Sequence, residues 1–331
     1  MRRPLRLTLS ALLIAAYGAA FVMAATVPAP GTPFALPAPR VATVTSHQEP
    51  GQGAAAAPGR FAGDATCLTC HESQGQSLAK TRHGQPLHAR TPAATGRACE
   101  SCHGPGQAHA DSGDPALIRR FTAMPAREAS AACLSCHNRG SHTQWQGSAH
   151  DSRNLSCSTC HSVHAPKAPA AQLKLATELE TCGSCHKAQV LKVRRAQHMP
   201  VIEGKMSCSS CHNPHGSTNV KQLRVGNWVN ESCISCHAEK RGPFLWEHAA
   251  GRESCVTCHD PHGGTNDRLL VSKVPMLCQR CHIGTRHPST IYDGRHVTAA
   301  TASNRIYGRG CVNCHSNIHG SNHPSGNAFL R

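Results

Sequence analysis

The stretch Cys67-Leu68-Thr69-Cys70-His71 carries the motif that decides the fold: two cysteines separated by two residues and followed at once by a histidine. The motif occurs ten times in 331 residues, and its copies use all twenty cysteines. We number the copies as sites 1 to 10 in chain order. They begin at Cys67, Cys99, Cys133, Cys157, Cys182, Cys208, Cys233, Cys255, Cys278 and Cys311.

Each copy is a signature for covalent attachment of a c-type haem. The two thiols form thioethers with the vinyl groups of the porphyrin, and the histidine becomes an axial ligand of the iron. The sequence therefore predicts ten haem c groups. Their attachment residues are Cys67, Cys70, Cys99, Cys102, Cys133, Cys136, Cys157, Cys160, Cys182, Cys185, Cys208, Cys211, Cys233, Cys236, Cys255, Cys258, Cys278, Cys281, Cys311 and Cys314. The predicted proximal ligands are His71, His103, His137, His161, His186, His212, His237, His259, His282 and His315.

A lone pair of cysteines at this spacing is also typical of half a zinc site or of a redox dithiol. The histidine in the fifth position argues against both. Histidine makes up 25 of 331 residues. The chance that all ten pairs precede a histidine is on the order of 10⁻¹¹ if positions are independent.

The composition limits the core that side chains can build. A chain of this length would normally form two domains, but aromatic residues are only 4%, and alanine and cysteine inflate the 39% hydrophobic fraction. Ten porphyrins would supply the missing apolar mass. We therefore predict an elongated multihaem cytochrome c fold, mainly short α-helices and irregular loops packed around ten haems, with little or no β-sheet.

The formal net charge of +16 raises the question of nucleic-acid binding. Ten haems would add about 20 negative propionate charges, which is more than the protein excess. We interpret the basic residues as partners of propionates and of the irons, and we expect no nucleic-acid partner.

The first 25 residues have a basic start and 19 uncharged residues after Arg6. This pattern predicts a signal peptide over residues 1–25, with an uncleaved membrane anchor as the alternative. Export suits haem c, which is attached outside the bacterial inner membrane. No cysteine precedes Cys67, so no lipid attachment is expected. Residues 26–60 hold seven prolines among alanines and glycines, which predicts a disordered leader.

An internal repeat runs through the predicted decahaem domain, residues 61–331. It consists of five two-haem units that start near residues 67, 133, 182, 233 and 278, each with an odd-numbered and an even-numbered site. The units are too short to bury their haems alone. We expect neighbouring units to stack in a row.

The repeat also assigns ten further histidines as distal ligands. One follows the histidine of each odd site by 11 to 14 residues, and one follows that of each even site by 3 to 6 residues. They are His83, His109, His150, His164, His198, His215, His248, His262, His296 and His319. His287 competes with His296, and His142 competes with His150, which fits the register better. His47, His88 and His323 are left over.

Spacing restricts which iron a distal histidine can reach. His215 follows His212 by three residues and lies on the same side of any helical turn, so it should ligate a neighbouring haem. Only four methionines lie beyond residue 25, so His/Met ligation could serve at most four irons. Bis-histidine ligation favours low reduction potentials and leaves no open coordination position. The sites are therefore predicted to transfer electrons.

Several phrases resemble a known family. They are Cys99-Glu-Ser-Cys-His-Gly-Pro-Gly, Leu155-Ser-Cys-Ser-Thr-Cys-His-Ser-Val-His164, Cys255-Val-Thr-Cys-His-Asp-Pro-His-Gly-Gly264 and Arg286-His-Pro-Ser. With the ten sites and the size, residues 61 to 324 resemble the periplasmic decahaem cytochromes of the MtrA/PioA/DmsE type. The resemblance implies a chain of bis-histidine haems inserted into an outer-membrane β-barrel porin.

On this resemblance the protein would be an electron-transfer protein and not an enzyme. It would pass electrons between periplasmic or inner-membrane cytochromes and an extracellular multihaem cytochrome, an iron mineral or a terminal reductase. It would lie in the periplasm, held to the outer membrane by the porin. Two alternatives remain: a soluble periplasmic electron carrier or store, and a multihaem reductase with one open haem site.

Overall fold

The computed structural model describes residues 59–87, 90–282 and 310–330. The predicted signal peptide and all but the last two residues of the predicted leader lie outside these ranges. Within them the chain forms twelve α-helices of four to nine residues. They are α1 Asp64–Leu68, α2 Glu72–Ala79, α3 Ala98–His103, α4 Gln107–Ser112, α5 Ala126–Leu134, α6 Cys157–Cys160, α7 Glu178–Gly183, α8 Lys187–Val193, α9 Cys208–Cys211, α10 Val229–Ile234, α11 Ala249–Glu253 and α12 Met276–Gln279.

Short 3₁₀ turns join these helices in the described ranges. They are Pro92–Thr95, Pro115–Leu117, Gly140–His142, Asp151–Arg153, Val220–Gln222, Ala238–Lys240, Cys255–Thr257, Asp267–Leu269, Cys311–Asn313 and Gly326–Ala328. Extended pairing in the described residues is confined to five isolated antiparallel bridges. The predicted fold class, short helices and loops with little sheet, is confirmed.

Each attachment motif is folded into one helical turn. In site 1 the backbone N–H of His71 donates to the carbonyl of Cys67 at 2.9 Å, and the same bond closes site 6 between His212 and Cys208 at 3.0 Å. A helical turn brings residues three and four apart onto one face. The two thiols and the histidine of a motif therefore face the same side, where a porphyrin would be attached.

Polar caps start several of these turns. Ser156 and Ser207 form capping boxes at the beginnings of α6 and α9, and Thr177 forms one at the beginning of α7. A capping box satisfies two backbone donors that a short helix would otherwise leave without partners. Helices of four to nine residues are marginal in isolation, so these caps help each motif to hold its turn.

The side-chain core is very small. The buried hydrophobic residues in the described ranges are Leu78, Ala129, Trp145, Val193 and Leu223. A normal domain of this length buries many more, because apolar burial is the main force that opposes chain entropy. The described fold therefore requires a large apolar group that side chains do not supply, as the composition predicted.

Two glycines bring the loops of even sites against the preceding unit. Gly216 and Gly263 have φ angles of +113° and +128°. A Cβ at these positions would lie 2.1 Å from the carbonyl oxygen of Gln144 and 2.3 Å from that of Lys192. Only glycine allows both the backbone conformation and the close approach. Each glycine directly follows a predicted distal histidine, so the same contact fixes where that histidine lies.

Candidate haem sites

In the described residues, the cysteines of consecutive sites are close enough to interact. Within each two-haem unit the first cysteine of the odd site interacts with the first cysteine of the even site. These pairs are Cys67 with Cys99, Cys133 with Cys157, Cys182 with Cys208, Cys233 with Cys255, and Cys278 with Cys311. Between units the second cysteines interact instead. These pairs are Cys102 with Cys136, Cys160 with Cys185, Cys211 with Cys236, and Cys258 with Cys281.

These nine interactions link site 1 to site 2, and so on to site 10, without a gap. The spatial order of the sites therefore follows their order in the sequence. None of the twenty cysteines forms a disulfide bond. Cysteines that neighbour one another in this way would place the porphyrins of adjacent motifs next to one another, because each porphyrin would be tied to its own two sulfurs.

Eight pairs of imidazole rings have the separation expected of two ligands on one iron. Two imidazoles that bind one metal from opposite sides at about 2.0 Å have ring centres on the order of 6.3 Å apart. The observed centroid distances are 5.9 to 6.3 Å. The pairs are His71 with His109, His83 with His137, His103 with His164, His150 with His186, His161 with His215, His212 with His262, His248 with His282, and His259 with His319.

Every one of these pairs combines a motif histidine with a predicted distal histidine, and the pairs follow a rule. A histidine after an odd site faces the odd site of the next unit, as His150 faces His186. A histidine after an even site faces the even site of the preceding unit, as His262 faces His212. His109 departs from the rule and faces site 1 of its own unit. His109 has no preceding unit to face, because it belongs to the first of the five units. It can therefore pair with the motif histidine of site 1 in its own unit.

Backbone carbonyls orient the motif histidines of the even sites. Nδ1 of each donates to a carbonyl 9 to 16 residues later, and a carbonyl can only accept. The pairs are His103 with Arg119, His161 with Ala171, His212 with Lys221, His259 with Arg268, and His315 with Ala328. The proton is thus on Nδ1, which leaves the lone pair of Nε2 for a metal.

Three of these carbonyls come from residues in the left-handed conformation. Ala171, Lys221 and Arg268 have φ angles of 56°, 54° and 58°. The turn that they begin returns the chain to the motif histidine, as in the bridge between His212 and Leu223. A left-handed residue other than glycine costs about 1–2 kcal/mol. Three turns of the fold contain such a strained residue, and in each turn its carbonyl accepts a hydrogen bond from one imidazole.

Comparison with known proteins agrees with this geometry. Multiheme cytochrome MtrA of Shewanella baltica strain OS185 is 42% identical over 272 residues, which are 80% of this chain and 80% of the relative. The chain belongs to the MtrA-type multihaem cytochromes c. A model of the doubled CXXCH motif matches residues 198–242 and 248–287, and a model of NrfB-like c-type cytochromes matches residues 99–182.

A second relative of this MtrA-type cytochrome is the cytochrome c-type protein NrfB of Escherichia coli O6:H1. It is 25% identical over 137 residues, 37% of this chain and 72% of the relative. A solved undecahaem cytochrome from the S-layer of Carboxydothermus ferrireducens covers 70% of this chain and 32% of its own, with 18% identity and a TM-score of 0.11. Nothing about the fold follows from that last similarity.

Membership of this family identifies the bound group as haem c and the activity as electron transfer. When bound, the haems supply one-electron iron couples, and the residues above would hold and orient them. Orphaned buried polar atoms fit such a large ligand: Nε1 of Trp145 and Nδ1 of His83 have no partner in the described protein. Among the described residues, no helix is both long enough and apolar enough to cross a membrane.

The thiols of this MtrA-type cytochrome have shifted pKa values because they are partly buried and lie side by side. Burial, with the carboxylate of Asp64, raises the pKa of Cys99 to about 12. A hydrogen bond from Cys133 lowers the pKa of Cys157, and the same bond raises the pKa of Cys133. Attachment to haem would remove this competition for protons, since a thioether carries none.

One group of three potential metal ligands comes from two adjacent motifs. Atoms of Glu178, Cys182 and Cys208 lie within 4.8 Å of one another. Both carboxylate oxygens of Glu178, however, accept hydrogen bonds from the amide and hydroxyl groups of Ser209 at the start of α9. Glu178 therefore caps a helix, and the two sulfurs belong to sites 5 and 6.

Among the described residues, one predicted distal ligand, His198, does not lie beside a motif histidine. Nδ1 of His198 donates to the carbonyl of Arg195 at 2.6 Å, and its Nε2 lies 3.0 Å from Glu203. Among the described residues no ring contact joins His198 to His237 of site 7. His296 and its competitor His287 lie outside the described residues.

The structure also places His142 beside the haem sites, although the spacing had favoured His150. His142 has its ring centre 5.7 Å from that of His137 and 4.2 Å from that of His215. It therefore lies at the junction of sites 3 and 4, where His83 also faces His137. Its offset of five residues from His137 lies within the range of the even sites, 3 to 6 residues, but His137 belongs to an odd site, and the odd-site register therefore favoured His150.

Proposed function

We propose that this cytochrome is a ten-haem electron wire across the outer membrane, inside or against a β-barrel porin. It would connect periplasmic or inner-membrane cytochromes with an extracellular multihaem cytochrome, an iron mineral or a terminal reductase. The observation that supports this best is the unbroken series of neighbouring sites from site 1 to site 10, in which cysteines of every consecutive pair of sites interact. A protein that bound its haems for separate tasks would not need every consecutive pair of sites to be neighbours.

The ligand set would be two histidines for each iron. Eight irons would take the eight ring pairs described above. A histidine after an odd site faces the odd site of the next unit. This rule assigns His198, which follows site 5, to site 7, beside His237. His296 is then left for site 10. His323 is less suitable, because its Nδ1 accepts a hydrogen bond from the amide of Ser325, which places its own proton on Nε2.

Bis-histidine ligation explains why a wire is favoured over a catalyst. An iron with two protein ligands offers no position to a substrate, and two histidines hold the reduction potential lower than histidine with methionine. The carbonyls that accept from Nδ1 strengthen each imidazole as a ligand and fix its orientation. These features support transfer of electrons between fixed, similar centres.

Location and partners are part of the same proposal. Residues 1–25 have the charge and hydropathy of an export signal, and the family relation suggests a periplasmic protein held to the outer membrane by a porin. The haem propionates would offset the +16 charge of the chain. The basic side chains are therefore assigned to the haems and not to an acidic polymer.

The decisive experiment is purification of the tagged, full-length protein from membranes of the organism that encodes it, with haem counting by mass. A stoichiometric β-barrel protein that remains bound through gel filtration, with ten haems per chain, would support the conduit. Recovery of the ten-haem protein from the soluble periplasmic fraction, free of any barrel, would support a soluble carrier or store.

One observation favours a second candidate, a reductase with one open haem. His198 contacts Glu203 and not His237, so site 7 would lack a sixth ligand if this contact persists in the haem-loaded protein. Low-temperature electron paramagnetic resonance separates the cases. Low-spin signals alone support the wire, whereas a high-spin signal of about one haem per chain would move the search for a substrate to site 7.

A further inference from the structure

Asp260 lies between a cation and a predicted haem ligand. Its Oδ2 accepts from Nζ of Lys192 at 2.6 Å, in an ion pair that is only partly exposed. Its Oδ1 accepts from the backbone N–H of His262 at 3.1 Å and lies 3.5 Å from Nδ1 of the same histidine. The ring of His262 is in turn stacked at 6.1 Å from that of His212, with 9° between the planes.

The partners of Asp260 favour its negative charge. The ammonium group of Lys192 and the backbone N–H of His262 both donate to its carboxylate, and such hydrogen bonds stabilise the ionised form. Asp260 therefore places a negative charge beside Nδ1 of His262.

Site 6 provides a natural comparison, because Asn213 occupies the position that Asp260 has after site 8. Oδ1 of Asn213 accepts from the backbone N–H of His215 at 3.2 Å, so the turn is built in the same way. Nδ1 of His215 is buried and has no partner in the described protein. The two loops thus share a backbone and differ in whether a negative charge faces the distal imidazole. Among the even sites, only site 8 has an acid in this position.

We propose that Asp260 is a positioning residue that lowers the reduction potential of one haem, the haem of site 6 that His212 and His262 would share. This inference rests on the ligand pairs of the proposed function. A carboxylate facing Nδ1 makes an imidazole a stronger ligand. Its negative charge also stabilises ferric iron over ferrous iron. The positive charge of Lys192 opposes the second effect, so the reduction potential of the site 6 haem depends on both charges.

The test is a set of single variants of the full-length, haem-loaded protein, studied by redox titration with paramagnetic resonance detection. His262→Met first identifies the signal of site 6, since a methionine ligand raises the potential of its haem. Asp260→Asn should move that same signal to higher potential, and Lys192→Met should move it to lower potential. The other nine haems should keep their potentials.

The reciprocal change uses the sister loop. Asn213→Asp should lower the potential of the haem at site 4, identified in the same way with His215→Met. If Asp260→Asn fails to assemble ten haems, Asn213→Asp and Lys192→Met still test the proposal. An unchanged site 6 signal in Asp260→Asn, or shifts of the same sign in Asp260→Asn and Lys192→Met, would overturn the inference. If His262→Met moves no signal or that of another site, the ligand pairing itself is wrong.

Discussion

His215 lies with its ring centre 6.0 Å from that of His161, and the two planes differ by 20°. His215 is only three residues from His212 in the sequence but 54 residues from His161. The local helical turn keeps the two near neighbours on one side, while Gly216 presses the loop against the preceding unit. The predicted distal histidines therefore lie between units, and a change in one loop should alter a distant attachment site.

Replacement of His215 with methionine is expected to leave haem attached at Cys208 and Cys211 and to alter the haem of site 4. A thioether ligand raises the reduction potential and changes the low-spin spectrum of its iron. Redox titration of the variant and mass analysis of its haem peptides check both points. A response of the site 6 haem alone would show that His215 serves its own motif.

Replacement of Gly263 with alanine should destabilise the protein by about 2–3 kcal/mol, because the new Cβ meets the carbonyl of Lys192 and has nowhere to move. Gly204→Ala is the matched control. Gly204 also has a positive φ, +69°, but open space beyond it, so only the backbone cost of about 1 kcal/mol applies. Denaturant midpoints of the haem-loaded proteins measure the difference, and equal losses in the two variants would contradict the packing argument.

Replacement of Lys221 with glycine should stabilise the haem-loaded protein by about 0.5–1 kcal/mol, since glycine adopts the φ of 54° without strain. The carbonyl that orients His212 is retained. Lys187→Gly, at the start of α8, is the control, and we expect it to be destabilising by up to about 1 kcal/mol. A lower denaturant midpoint for Lys221→Gly would mean that the side chain contributes more than the conformation costs.

Replacement of His198 with alanine distinguishes the two possible states of site 7. If His198 ligates the iron held by His237, the variant should gain a high-spin signal of about one haem per chain. Glu203→Gln is the control, because it removes the carboxylate that faces His198 and leaves the ligand in place. The absence of any spectral change in His198→Ala would show that another group, or none, completes site 7.

The sequence by itself determined the covalent chemistry. Two cysteines and a histidine within one helical turn form a local signal, and Cys67 to His71 needs no distant residue to be recognised. The small apolar fraction likewise predicted short helices and loops, since no side-chain core could hold longer elements together. The two distal registers were also visible, because they repeat with the units.

Tertiary structure decided which sites each distal histidine joins. Neither the choice of His161 for His215 nor the position of His142 between sites 3 and 4 follows from spacing, since both depend on how one unit packs on the next. The positive-φ residues Gly216 and Gly263 set that packing through their close approach to the carbonyls of Gln144 and Lys192 in the preceding units. The same holds for Asp260, whose partner Lys192 is 68 residues earlier. Attachment is encoded locally, whereas the pairing of predicted ligands arises from contacts between units.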